Sequence, residues 1–498
     1  MSITFNLVPS NAAASAVFVE QEAVSRGGSS PLIPHKILIP GQYNSGKSPT
    51  VNTPQLILTK ADSWDRYGRG SLISAMIEKA LDKSGGVPVY GLPLADEGGA
   101  VAATGTITVS VTTAVAGTLR IYIGGVKVSV AVAAADTPTE IGDAIEAAIN
   151  ANLDLPVTAA NAVGVVTLTV RWKGEAGNQI QVEMNRADSD ATPSGVTVVI
   201  VDMGDVVAGA TNPVLTTALA AMGDTWFTEI VMPYLDTTSL TALEAAGVDR
   251  DDPAVKRQFV GLVGFTDTVA NFITALDSRN SEWTTYVPVP GSPTPAYLIA
   301  AAAGAIFGRY QQATPGRPMK TLTLPGVIAG NESMVPNNNT VVLAGGSWTV
   351  NQADDTVSIG DLVTTRTETS GGAATEDWRF TIIIANIQFK IYALENTFRA
   401  NPFDRAVVLA DGGGKGPTYG VHPSDVKAYA IKLVDDWIER GLSTGRDLIV
   451  TGDGGTYPGI SAEINSSNSG RIDLLIPDIP SAGLRILAAK LEWAFITG

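Results

Sequence analysis

The sequence predicts an α/β core built on a mixed, largely parallel sheet with helices, carrying an inserted α+β domain and a C-terminal α+β domain, with extended terminal arms. Three observations predict it. Strand and helix patterns alternate over 34–96 and again over 209–335, as parallel sheets with crossover helices require. Between them, residues 97–208 change composition to Thr, Val, Ala and Gly, with several strands around one helix. Both ends carry short segments of strict apolar/polar alternation. The resulting division is an N-terminal arm at 1–25, a core at 26–96 and 209–335, an insert at 97–208, a C-terminal domain at 336–480 and an arm strand at 481–498.

At the N-terminus Ile3, Phe5 and Leu7 alternate with Ser2, Thr4 and Asn6, and Pro9 ends the strand. A frayed end and a strand that adds to another subunit's sheet both fit this pattern. HKILIPG is a buried strand, Ser71–Leu81 a helix, and VPVYGLPL a strand whose prolines place it near an edge. In the insert, TGTITVSVTT, GTLRIYIGGVKVSVAVA, VGVVTLTVRWKG and NQIQVEMNR read as strands. A helix at 138–150 has Thr137 as N-cap and Glu140 closing a capping box. The core resumes with a helix from Pro213 to Met222 capped by Asn212. The strands WFTEIVMP, RQFVGLVGF and TTYVPVP then alternate with the helices SLTALEAAG, DTVANFITALD and TPAYLIAAAAGAIFGRYQ.

A β-rich stretch at 340–367 leads to a long helix. There Phe380, Ile384, Ile387, Ile391, Leu394 and Phe398 recur at steps of four and three, one apolar helical face. Asn401-Pro402 stops it. A second helix runs from Pro423 to Arg440 with His422 at its N-cap. Its buried stripe is Val426, Tyr429, Leu433, Val434, Trp437 and Ile438. The two helices, joined by DGGGKGP, are expected to form one compact unit. RIDLLIP and a final strand follow, the latter with Leu487, Leu491, Trp493 and Phe495 on one side.

Of 498 residues, 33 are Lys or Arg and 49 are Asp or Glu, a net charge of −16 that argues against broad nucleic-acid or anionic-membrane binding. Cysteine is absent, so disulfides, thiolate nucleophiles and Cys-ligated metals are excluded. The histidines are His35 and His422 alone, which leaves little for acid–base catalysis. The start, MSITFNLVPSN, lacks the charged and apolar regions of a signal peptide, and the longest apolar run, Tyr297–Phe307, is too short for a membrane span. A soluble cytoplasmic product is expected.

GQYNSGKS at 41–48 matches the pattern of a phosphate-binding P-loop after a strand. A P-loop needs a helix opening at its Lys-Ser pair, whose amides hold the phosphates. Here Pro49 follows Ser48 directly, and Pro54 comes soon after, so a turn is expected and no nucleotide site. ADGGGKGP at 410–417 reads as a flexible connection, and DRDD at 249–252 as a solvated turn without the ligand spacing of a calcium loop. No catalytic, cofactor-binding or metal-binding residue is assigned.

The chain also resembles a known family. The residues that carry the resemblance are GQYNSGKS…NTPQLI with RYGRGSLISAMIEKAL, the TGTITVSVTT…GNQI insert, GSPTPAYLIAAAAGAIFGRYQQATPGRPMKTLTLPGV, and NPFDRAVVLADGG with HPSDVKAYAIKLVDDWIERGL. In order and spacing they resemble contractile-tail sheath proteins, the Mu-like phage branch in particular. The departure from the family pattern is GKS within the first turn.

The resemblance implies a non-enzymatic structural subunit without cofactor. It would polymerise as stacked hexameric rings around a tail tube, and contract by rigid-body rearrangement to drive the tube through the target envelope. Its partners would be itself, the tail tube protein, and the baseplate and tail terminator proteins. Nucleic acid binding and direct membrane insertion would be absent. It would reside in a virion tail and assemble in the host cytoplasm. The arms would pair with neighbouring subunits through Ile3, Phe5, Leu7, Leu487, Leu491, Trp493 and Phe495. The insert would face outward, and Lys427 and Lys432 would face the tube. For the C-terminal strand, pairing within its own chain is the plain alternative. Two other classes are the alternatives: a nucleotide-dependent enzyme using GQYNSGKS, and a secreted adhesin or surface-layer protein suggested by the Thr/Val/Ala-rich insert.

Overall fold

The structure, a computed structural model, describes residues 31–412 and 416–485. The arm residues Ile3, Phe5, Leu7, Leu487, Leu491, Trp493 and Phe495 therefore lie outside the described residues. Packing divides the described residues into two units, one comprising Leu32–Glu395 with 480–485, the other Asn396–Ile479. The expectation of a mixed α/β architecture with several sheets is borne out.

The larger unit opens with β1 (Ile37–Gln42), β2 (Gln55–Ile57), α1 (Lys60–Tyr67), α2 (Leu72–Leu81) and β3 (Val89–Leu94). Every residue of β1 is buried, because it pairs in parallel with a neighbour on each side and is covered on both faces. Ser71 caps α2 by accepting from the Ser74 N–H, where the sequence places the helix start. The helix α1 is a correction, since the next helix after the first turn was expected only near Ser71. Its sequence KADSWDRY has almost no apolar stripe. It forms because Thr59 caps it and Tyr67 docks its last turn into the core.

The insert follows as β4 (Thr104–Val111), β5 (Gly117–Ile123), β6 (Val126–Val132), α3 (Pro138–Ala151), β7 (Val157–Ala162), β8 (Val165–Val170), β9 (Val182–Met184) and β10 (Val196–Val201). They make a four-stranded sheet β10-β4-β8-β7 and a three-stranded sheet β6-β5-β9. The Thr137–Glu140 capping box of α3 is present, and Ile141, Ile145 and Ile149 face inward from it. β7 and β10 are strands beyond those read from the sequence.

The core resumes with α4 (Thr216–Ala220), β11 (Glu229–Met232), α5 (Thr237–Asp251), β12 (Val260–Phe265), α6 (Val269–Leu276), β13 (Thr284–Pro288) and α7 (Ala296–Ala313). The central sheet has the order β13-β12-β11-β1-β3-β2, parallel throughout except for the edge strand β2. Alternate positions of β12 face opposite layers. A Cβ on Gly261 would meet Leu243 of α5, whereas Leu262 lies by Gly304 of α7. The Ala/Gly-rich run of α7 is a buried core helix, and Gly304 lets Val231 approach where a Cβ would stand 2.4 Å away. No helix among the described residues is long and apolar enough to cross a membrane. The expected helix 213–222 shrinks to α4, because the Asn212 side chain is engaged elsewhere: it accepts from the Glu175 N–H and donates to Asp236.

Next come β14 (Thr323–Leu324), α8 (Asn338–Leu343), β15 (Trp348–Asn351), β16 (Val357–Asp361) and α9 (Thr381–Arg399). The β-rich stretch thus begins with a helical turn. The division between units falls inside α9, which differs from the expectation that the two long helices form one compact unit. Its buried face also differs from the expected stripe. Ala385, Gln388, Phe389 and Ala393 are buried with Ile384, while Ile387, Ile391 and Leu394 are half-buried. The reason is polar: the Gln388 amide donates to the Gln258 carbonyl, 2.9 Å away, beside the start of β12.

The smaller unit holds β17 (Val407–Val408), β18 (Gly420–Val421), α10 (Pro423–Glu439), α11 (Arg446–Val450), β19 (Ser461–Ile464) and β20 (Ile472–Leu475). Val426, Leu433, Val434 and Trp437 of α10 are buried as expected, and Tyr429 and Ile438 are half-buried.

Candidate functional site

In open parallel sheets the ligand crevice lies at the carboxyl ends of the strands, where the strand order reverses. Here the chain leaves β1 toward β3 on one side and later adds β11 on the other, so the reversal lies between β1 and β11. Gln42 ends β1, and Tyr234 follows β11. The Tyr234 hydroxyl donates to Gln42 Oε1 at 3.0 Å, and both side chains are fully buried. Gln42 Nε2 donates to Asp96 Oδ1 at 3.0 Å and to the Lys173 carbonyl, and the Lys173 N–H also reaches Asp96. Burial holds the Tyr234 phenol well above its usual range, with Asp96 and Asp236 adding to the shift, so it stays a neutral donor. Residue 96 directly precedes the insert, and residue 173 lies within it, just after β8. Its base therefore closes the crevice with satisfied hydrogen bonds, and Trp172 packs edge-on against Tyr297 at 5.7 Å beside it.

The GQYNSGKS segment lacks phosphate-binding geometry. Gly41 and Gln42 belong to β1, Ser45-Gly46 makes a turn, and β2 precedes the first helix. Lys47 Nζ donates to the Asp65 carbonyl at 2.9 Å, and Asn44 ties the turn to the Tyr67 and Arg69 carbonyls. Among the described residues no helix opens at Lys47 or Ser48, the first beginning at Lys60.

The two histidines are engaged in structural contacts. His35 is fully buried, its Nδ1 2.5 Å from Glu229 Oε1, and Thr228 Oγ1 donates to the other carboxylate oxygen. His422 precedes α10, where Asp425 accepts from its N–H and the Ala410 carbonyl lies 2.9 Å from Nδ1. Asp411 joins this helix start by accepting from Ser424, whose hydroxyl above all lowers the Asp411 pKa. DRDD is not a free turn. It forms the last turn of α5 and its C-cap, with the Arg250 guanidinium donating to the Gly223 and Thr225 carbonyls and Asp251 accepting from Gln258. Among the described residues no group of His, Asp and Glu is placed to hold a metal ion.

What remains open is sheet edge. The hairpin β19–β20 has two antiparallel strands and no third strand among the described residues. Asn465 closes its turn by accepting from the Ser467 and Asn468 N–H groups. No residue of either strand is fully buried, and Leu475 is 48% exposed. A lone two-stranded ribbon is marginally stable, and this one leans on α10. Lys427 on α10 is half-buried, while Lys432 is exposed with its Nζ 4.8 Å from the Tyr429 ring centre. The hairpin was legible in the sequence only through RIDLLIP; the Gln42–Tyr234 plug was missed, because its members are far apart in the chain.

No protein-family profile matches the chain. It is 28% identical, over 421 residues, to the Mu-like prophage FluMu tail sheath protein of Haemophilus influenzae, covering 84% of this chain and 85% of that protein. Among solved structures it is similar to a sheath tail protein of Desulfitobacterium hafniense, at 12% identity and a TM-score of 0.48 over 94% of this chain and 97% of that one. One from Listeria innocua gives 14%, 0.45, 91% and 96% in the same order. A chain of the anti-feeding prophage baseplate gives 10%, 0.48, 97% and 100%. The resemblance to Mu-like contractile-tail sheath proteins read from the sequence is borne out by the first of these similarities.

Proposed function

We propose that this chain is the subunit of a contractile tail sheath and is not an enzyme. It polymerises as stacked hexameric rings around a tail tube and contracts by rigid-body rearrangement. The observation that carries the reading is similarity to a tail sheath protein along most of both chains. Two features support it. The crevice where an α/β enzyme would bind its ligand is plugged by Gln42, Tyr234 and Asp96. The hairpin β19–β20 offers the kind of edge to which an extended arm adds by main-chain hydrogen bonds. In this reading Ile3, Phe5, Leu7, Leu487, Leu491, Trp493 and Phe495 pair with neighbouring subunits. Contraction turns on the arms as hinges, with energy stored in the extended lattice and no nucleotide consumed. The insert faces outward; Lys427 and Lys432 face the tube; baseplate and tail terminator proteins bound the stack. The subunit is made in the host cytoplasm and resides in the virion tail.

The tube contact is tested by co-sedimentation with preformed tail-tube polymer. The full chain pellets with the tubes, and Lys427→Glu/Lys432→Glu pellets less. A chain that stays in the supernatant contradicts the proposal.

A further inference from the structure

The two edges of the four-stranded insert sheet are treated differently. At the β7 edge, α3 supplies side chains in place of a strand. Asn150 accepts from the Ala159 N–H at 3.0 Å and donates to the Ala159 carbonyl at 2.8 Å, and Glu146 accepts from the Asn161 N–H at 2.7 Å. The β10 edge has no such cover. Gly195 and Thr112 bond across the ladder, so Thr197, Val199 and Val201 turn their main chain toward β4. Val198 and Ile200 turn theirs outward, where no main-chain or side-chain partner meets them among the described residues.

β10 reads VTVVIV and carries no charge, proline or glycine, the features that usually guard an edge. Its pairing with β4 runs through six residue pairs without a bulge. The outer face continues without charge through Thr106 and Thr108 of β4 and Val165 of β8, and Val199 is 56% exposed at its rim.

We propose that the β10 edge pairs with the β10 edge of a second copy, holding free subunits as two-fold dimers. Two observations select a second copy. Each chain carries −16, which disfavours contacts that set like charges against each other, and this edge and face are neutral. The strand is also self-complementary about Val199. With Val198 opposite the partner's Ile200, four main-chain bonds form, Val199 faces its own copy, and Val201 faces Thr197. Asp202 then lies opposite the partner's Val196, at the end of the pairing and away from its own copy. A two-fold pair has no place in a polar stack of rings, so it belongs to subunits outside one. The inference stands whether or not the sheath reading does.

The chain has no cysteine, which makes the test direct. Residues facing each other in a non-hydrogen-bonded antiparallel pair stand about 4.5 Å apart at Cα, within disulfide reach. Full-length Val199→Cys, in dilute solution under mild oxidation, is expected to form a covalent dimer at least tenfold faster than Thr197→Cys. Thr197 is also exposed on the strand, but four residues out of register with its own copy. Equal rates, or a faster Thr197→Cys, overturn the proposal. Circular dichroism confirms that both variants fold.

Discussion

Lys79 shows how a single side chain ties stability to pH. It lies on α2, and its Nζ donates to the Gly326 carbonyl at 2.6 Å. Burial pushes its pKa down from 10.5 to about 8, with Asp82 pulling the other way. Above about pH 8 the folded chain gives up this proton while the unfolded chain keeps it. Stability from this group therefore rises with pH until the ordinary lysine range is reached. Lys79→Met should remove the rise. The stability difference between wild type and variant should move in favour of wild type by on the order of 1 kcal/mol between about pH 7.5 and 9.5. Denaturant midpoints at the two pH values measure it, and a constant difference would rule the linkage out. Gly247 shows close packing at the same scale. A Cβ there would stand 2.2 Å from the Trp283 ring, so α5 can lie against that buried indole only with glycine at this position.

Among elements, the C-terminal segment carries the sharpest consequence. The sequence places an arm at 481–498, and its first residues are held within the larger unit. Arg485 Nε lies 2.5 Å from Asp361 Oδ2, its guanidinium stacks 3.7 Å from the Phe380 ring centre, and Gly483 lies against Pro318. Deletion of 484–498 would remove that anchor along with the strand. Deletion of 486–498 keeps it, and should leave a folded monomer that no longer polymerises. Sedimentation velocity with circular dichroism separates the two effects; tubes formed by the shortened chain would remove the arm from the account.

β1, α2, α3 and α7 were legible because local apolar period and capping residues agree with their burial. α1 was not, because its polar sequence is held by one cap and one docked tyrosine. The face of α9 was misjudged because Gln388 is buried to satisfy carbonyls that no pattern in its own helix announces. That GQYNSGKS runs into a turn and opens no helix was legible from Pro49, whereas the plug at the strand ends was not, since Gln42 and Tyr234 meet only in the fold.

At the scale of the molecule, a plugged crevice and unfilled sheet edges point the same way. The chain's low charged fraction of 16% fits a surface partly covered by neighbours. The proposed function requires self-assembly without nucleotide. Negative-stain electron microscopy of the purified full-length chain at rising concentration, with no nucleotide added, tests it most directly. Hollow tubes or stacked six-membered rings are the predicted result. Dispersed particles at every concentration, with saturable ATP binding that Lys47→Ala abolishes, would contradict it.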